Sequence, residues 1–229
     1  MRKMFTGQFL GRFVLLLSLT ASVALADVTM VITSAPNSYG GQYTSPYTAL
    51  ISGSITELVA CLDFDRHVSL GATNTYAVYH NTGPSDWGAV SGLPTSSTQD
   101  MYDAAAILFE GMASTTGTPD RLQGMYSWAI WKLFQNNVNL PGAGTGGVLA
   151  GDQAIVDGYI SSATTYAANN PNTLDYYVYV PLTQDSQGQW VDNFSGQRFI
   201  TVVPDGGLTL MLLGGALVGL ETLRRKSHV

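Results

Sequence analysis

The chain has 229 residues, a formal net charge of −6 and a single cysteine, Cys61. That is length enough for one domain with a substantial core, and too few thiols for an internal disulfide. Six of the ten basic residues lie in the first twelve or last six positions. Residues 27–203 therefore carry four basic residues (Arg66, Arg121, Lys132 and Arg198) against fourteen acidic ones, which leaves −10. So acidic a surface repels a phosphate backbone and excludes nucleic acid as a partner.

In chain order, Arg2, Lys3 and Arg12 precede the apolar run Phe13 to Leu19, and Ala24-Leu25-Ala26 places small residues at Ala24 and Ala26. This is the layout of a secretory signal peptide over 1–26, read by the Sec translocon and cut by signal peptidase before Asp27. Strand patterns follow at Val28 to Ile32, Tyr47 to Ile51, Ile55 to Phe64 and Thr75 to Tyr79, with a turn over Asn37 to Gly41. The middle is helical. Ser97 or Thr98 caps a predicted helix running to Met112. Thr118-Pro119 starts a second, whose apolar positions Leu122, Met125, Tyr126, Ala129, Ile130 and Leu133 keep the 3.6-residue period.

Pro141 to Gly147 is a small-residue connector, and no Lys follows its glycines to make a phosphate loop. Asp152 caps a third predicted helix that stops at Asn169-Asn170-Pro171, and strands return at Tyr176 to Val180 and Arg198 to Val203. The expected fold is α+β: an antiparallel sheet or sandwich with an inserted segment of about three helices, filling residues 27–202.

The tail, 203–229, joins three physical devices. Val203-Pro204-Asp205-Gly206-Gly207 breaks regular structure, Leu208 to Leu220 prefers lipid, and Arg224-Arg225-Lys226 favours the cytoplasmic side. At about 1.5 Å per residue the apolar run spans about 20 Å, short of a hydrocarbon core of about 30 Å. It suits a transient transmembrane hold in the inner membrane better than a permanent one, although a plain membrane anchor is the other reading.

Chemistry-bearing patterns are sparse. Cys61, Asp63, Asp65 and His67 share strand parity, which would put four potential ligands on one face. The mixture of soft and hard donors, spaced about 6–7 Å apart, suits neither zinc nor calcium, and no metal or other cofactor is expected. Asp100 with Asp103, or Glu57 with Asp63, would be the carboxylate pairs of a glycosidase, but such residues commonly serve as caps and solvated surface. No catalytic residue is assigned. Twelve tyrosines, among them Tyr39, Tyr43, Tyr47 and the group Tyr176, Tyr177 and Tyr179, offer faces on which sugars of an exopolysaccharide could stack.

The order of breaker motif, apolar helix and basic cluster resembles the PEP-CTERM class of bacterial sorting signals, in its Val-Pro-Asp-Ser-Gly variant with Gly206 where the variant has Ser. The resemblance implies recognition and processing by an exosortase, a membrane peptidase, and delivery to the cell surface or exopolysaccharide matrix. In the body, Cys61-Leu62-Asp63-Phe64, Tyr102 to Ala106 and Trp128-Ala129-Ile130-Trp131 are similar to PEP-CTERM proteins of unassigned function.

The Cys and the Ala-Ile-Trp helix also resemble the thioester domains of Gram-positive adhesins. That resemblance implies a Cys–Gln cross-link that captures amines. Its Thr-Gln pair falls on Tyr126-Ser127 here, and Ser127 has no amide to lose. Gln123, one helical turn earlier, is the nearest substitute partner for Cys61 on that helix.

Overall fold

A computed structural model describes residues 27–81, 99–115, 119–193 and 195–203. The signal-peptidase site at Ala24 and Ala26, the tail from Pro204 through Gly207 to Arg224, Arg225 and Lys226, and the cap residues Ser97 and Thr98 lie outside the described residues. In order, the elements are β1 (Val28–Ser34), β2 (Asn37–Tyr39), β3 (Gln42–Thr44), β4 (Tyr47–Ile51), β5 (Ile55–Cys61), β6 (Thr73–His80), α1 (Gln99–Ala113), α2 (Pro119–Phe134), α3 (Asp152–Asn169), β7 (Tyr176–Gln184), β8 (Trp190–Asp192) and β9 (Phe199–Val202). Antiparallel strands with three inserted helices bear out the α+β expectation. Among the described residues no helix is long and apolar enough to cross a membrane.

The sheet runs β6-β1-β4-β5-β9-β7, and pairing of β6 with β7 closes it into a six-stranded barrel; β8 extends the far end of β7. This corrects the open sheet or sandwich expected from the sequence. Alternation supplies the filling: Met30 and Ile32 on β1, Tyr47, Ala49 and Ile51 on β4, and Val178 and Val180 on β7 are buried. Tyr76 and Phe199 meet edge to face at 6.0 Å, and Phe199 does the same with Tyr47 at 6.2 Å.

The Asn37 to Gly41 turn is more than a turn. It is the tip of a hairpin, β2 against β3, reversed at Gly40-Gly41 with φ of 65° and 78°. Two consecutive left-handed residues make the tight turn that glycine permits at least cost. The strand read as Ile55 to Phe64 ends at Cys61, so the four-ligand row does not exist: Asp63 turns inward to Arg198, and no cluster of three or more metal-ligating side chains occurs among the described residues.

The second helix carries the apolar stripe read from its period, with Met125, Ala129, Ile130 and Leu133 buried. It also buries Gln123, Ser127, Trp128, Trp131 and Phe134, because α1 and α3 cover one side while β2, β3 and β5 cover the other. Gly124 lies where this helix crosses the hairpin: a Cβ there would stand 2.3 Å from Tyr39 Cβ.

Asp152 does not cap α3, whose N-cap is Gly151. Its carboxylate instead accepts from Tyr39 Oη, Arg121 and the Leu149 backbone N–H, tying the hairpin, α2 and the α3 approach together. Burial alone would raise its pKa. The hydrogen bonds from Arg121, Tyr39 and Leu149 outweigh that and lower it to about 2.

Candidate functional site

Cys61 closes β5 at the pole of the barrel where β1 ends and β4 begins. It is fully buried. Its backbone N–H donates to Ser45 Oγ at 3.1 Å, and Ser45 N–H donates to Ser127 Oγ at 2.9 Å. Ser127, at the position where the thioester resemblance calls for glutamine, is thus a backbone clasp that joins α2 to the loop before β4.

The thiol itself donates to the Asp63 carbonyl at 2.9 Å, and the Gln197 carboxamide Nε2 lies against Sγ at 2.5 Å. Gln123 is turned elsewhere, its Oε1 accepting from Asn37 Nδ2 at 2.5 Å. The amide that meets Cys61 therefore comes from the segment before β9, not from the helix, and Gln197 was not singled out from the sequence. It stands 136 residues from Cys61. No local sequence signal marks it; what brings it to Cys61 is the pairing of β5 with β9, which puts Cys61 opposite Phe199.

Burial pushes the Cys61 thiol well above its usual range, and the nearby Asp63 carboxylate adds to the shift. A backbone hydrogen bond from Asp63, the Trp131 indole and the Arg198 guanidinium oppose it. Asp63 and Arg198 form a buried bidentate pair beside the sulfur: Arg198 Nε lies 3.0 and 2.9 Å from the two carboxylate oxygens, and Arg198 N–H donates to Oδ2 at 2.8 Å. Of the carboxylates paired in the sequence reading, Asp63 and Asp103 each have buried partners. The first is held by Arg198, and the second accepts from Tyr176 Oη at 2.7 Å and the Asn172 N–H at 3.2 Å.

A cavity of about 240 Å³ opens over this cluster, with Tyr43, Tyr47, Asp63, Phe64, Trp131 and Gln197 among its walls. Phe64 packs on Trp131 at 5.4 Å and on Trp128 at 5.2 Å, and its N–H donates to Gln135 Oε1, which pins the floor to the end of α2. Gln197, Asp63 and Trp131 stand between the cavity and the sulfur.

The tyrosines do not form a sugar-stacking row. Tyr39, Tyr47, Tyr176 and Tyr179 are buried, Tyr177 stacks on His80 at 4.5 Å, and of the three early tyrosines only Tyr43 is open, at 68 % exposure. At the opposite pole Val203 leaves β9 with its N–H donating to the Asp175 carbonyl at 2.8 Å.

No protein-family model, curated protein or solved structure matches this chain.

Proposed function

We propose that this is an exported bacterial surface or exopolysaccharide-matrix protein, carried by Sec, held briefly at the inner membrane and processed by an exosortase-like peptidase. Its 27–202 domain plays a structural or binding role. The observation that supports the reading is the way the domain ends. Val203 is still paired to the β7 side of the barrel, so the Val203 to Gly207 motif begins in sequence directly after β9, the last strand of the domain. A peptidase at the membrane then meets the motif at the domain boundary. Grafting residues 203–229 onto an unrelated exported protein should bring that protein to the cell surface with the tail removed. Uncut retention in the inner membrane would refute the sorting assignment.

A second reading, a covalent adhesin using Cys61, is favoured by the Gln197 contact. With Nε2 at 2.5 Å from Sγ and an amide C–N bond of about 1.33 Å, the Gln197 carbonyl carbon lies within about 3.8 Å of the sulfur. Attack by Sγ on that carbon would form the S–C bond and break the C–N bond. Ammonia would leave with the thiol proton, and the chain would lose about 17 Da. Against it stands the raised thiol pKa, because the thiolate is the attacking species. Intact mass of the mature chain tests this: a 17 Da deficit that disappears in Gln197→Ala supports the cross-link. Full mass with a thiol that alkylates only after denaturation leaves Cys61 as a buried core residue.

A further inference from the structure

Trp131 carries a donor that the resting fold does not use. The residue is 3 % exposed, packed by Phe64 at 5.4 Å and by Trp128 at 5.3 Å, yet its indole N–H makes no hydrogen bond among the described residues. A buried tryptophan N–H ordinarily finds an acceptor, and one left without is costly. Trp128, one turn earlier on the same helix, shows the ordinary case: its Nε1 donates to the Tyr39 carbonyl at 3.2 Å.

What the Trp131 indole faces is Cys61. It lies near enough to pull the thiol pKa down against burial, without closing a hydrogen bond to the neutral sulfur. Sγ meanwhile donates to the Asp63 carbonyl at 2.9 Å and has Gln197 Nε2 at 2.5 Å. Trp131 also lines the cavity of about 240 Å³, so the indole stands where that cavity meets the sulfur. A second donor of the cluster, Arg198 Nη1, is unpaired as well, while the Nε and Nη2 of the same guanidinium are held by Asp63. A sulfur that stayed a neutral thiol would have little use for spare donors, because it is a weak acceptor; a thiolate takes them strongly.

We infer that Trp131 is the donor that holds the Cys61 sulfur while it carries negative charge, both when the Gln197 amide is exchanged for a thioester and when an amine opens that thioester. The inference rests on the Cys61–Gln197 reading given above. In formation, the thiol proton moves to Gln197 Nε2, Sγ attacks Cδ, the C–N bond breaks and ammonia leaves. In opening, the nitrogen of a primary amine attacks Cδ and the Cδ–Sγ bond breaks with its electron pair going to sulfur. The proton shed by the amine then returns that sulfur to the thiol. Charge grows on Sγ in each step, and a donor already in place there needs no reorganisation. Because the resting thiol leaves that donor unsatisfied, the hydrogen bond favours the charged species over the ground state.

The test uses the full-length chain with methylamine as the probe, and follows intact mass and released thiol with time. Wild type is expected to start short by the mass of one ammonia and to gain one methylamine. Trp131→Phe is expected to open about tenfold more slowly or worse, the scale of one hydrogen bond to a charged group. The same slowing is expected with benzothienylalanine at position 131, which keeps the ring shape and lacks only the N–H, so that loss of packing is not the cause. Trp128→Phe, which removes an indole that serves the Tyr39 carbonyl instead, is expected to lower Tm and keep the wild-type rate. Wild type at full mass would overturn the Cys61–Gln197 reading and this inference with it. An ammonia deficit in wild type with unslowed opening in the benzothienylalanine protein would overturn the inference alone. Equal slowing in Trp128→Phe would also overturn it, since packing would then account for the rate.

Discussion

Asp63 and Arg198 are the most consequential pair of side chains in the fold, because both are buried and each leaves a bare charge if the other is removed. Asp63→Asn or Arg198→Ala should destabilise the domain by about 3–5 kcal/mol, measured by denaturant unfolding. Replacing both by apolar residues of similar volume should cost much less, since the penalty belongs to the orphaned charge. Asp152 gives a pH signature. Its folded pKa of about 2 lies below the unfolded carboxylate value, so its contribution to stability is complete above about pH 4 and is lost as pH falls towards 2. Asp152→Asn should be less stable at neutral pH and should show a flatter acid limb between pH 4 and 2. A parallel limb in the variant would show that Asp152 does not govern it. In the sequence Asp152 looks like any helix-starting aspartate, and nothing there shows that Tyr39 and Arg121 converge on it from 113 and 31 residues away.

At the scale of elements, the close crossing of α2 over the β2–β3 hairpin makes a sharp prediction. Gly124→Ala would gain about 1 kcal/mol of helix propensity on an open helix. Here the new Cβ meets the Tyr39 side chain at 2.3 Å, so the substitution should instead lose about 1–3 kcal/mol, read as a lower Tm. A neutral or stabilising result would mean that the hairpin yields freely.

The helices were the legible part, because α2 and α3 have breakers or proline at their limits and α2 keeps its period almost throughout. The six barrel strands were legible too, whereas the three-residue strands β2, β3 and β8 were not. The end of β5 at Cys61 was legible as one reading of the Cys61 to His67 row, but the burial of Asp63 was not, since its partner Arg198 lies far along the chain. Closure of the barrel was equally hidden. It depends on β6 meeting β7 across the whole helical insert, a contact no local pattern encodes. The Cys61 neighbourhood was half legible: the thiol and the Ala-Ile-Trp helix could be singled out, but Gln197 could not.

The whole molecule has a direction. β1 begins, β6 ends, β7 begins and β9 ends at one pole, so the chain enters and leaves the barrel there. Cys61, its cavity and the open ring of Tyr43 sit at the other, where β1 ends and β4 begins. At about 3.3 Å per residue, the seven residues of β5 separate the poles by about 20 Å. Under the proposed sorting function, a domain still held by its tail would have a near side and a far side. In membrane-inserted precursor, a fluorophore on Ser52→Cys, at the β4–β5 turn, should be quenched by lipid-borne quenchers, and one on Tyr43→Cys should not, with Cys61 replaced by Ala in both. Equal quenching would mean that the domain lies flat. Under that proposal, a domain tethered upright would keep the Val203 pole towards the membrane and turn the Cys61 cavity away from it.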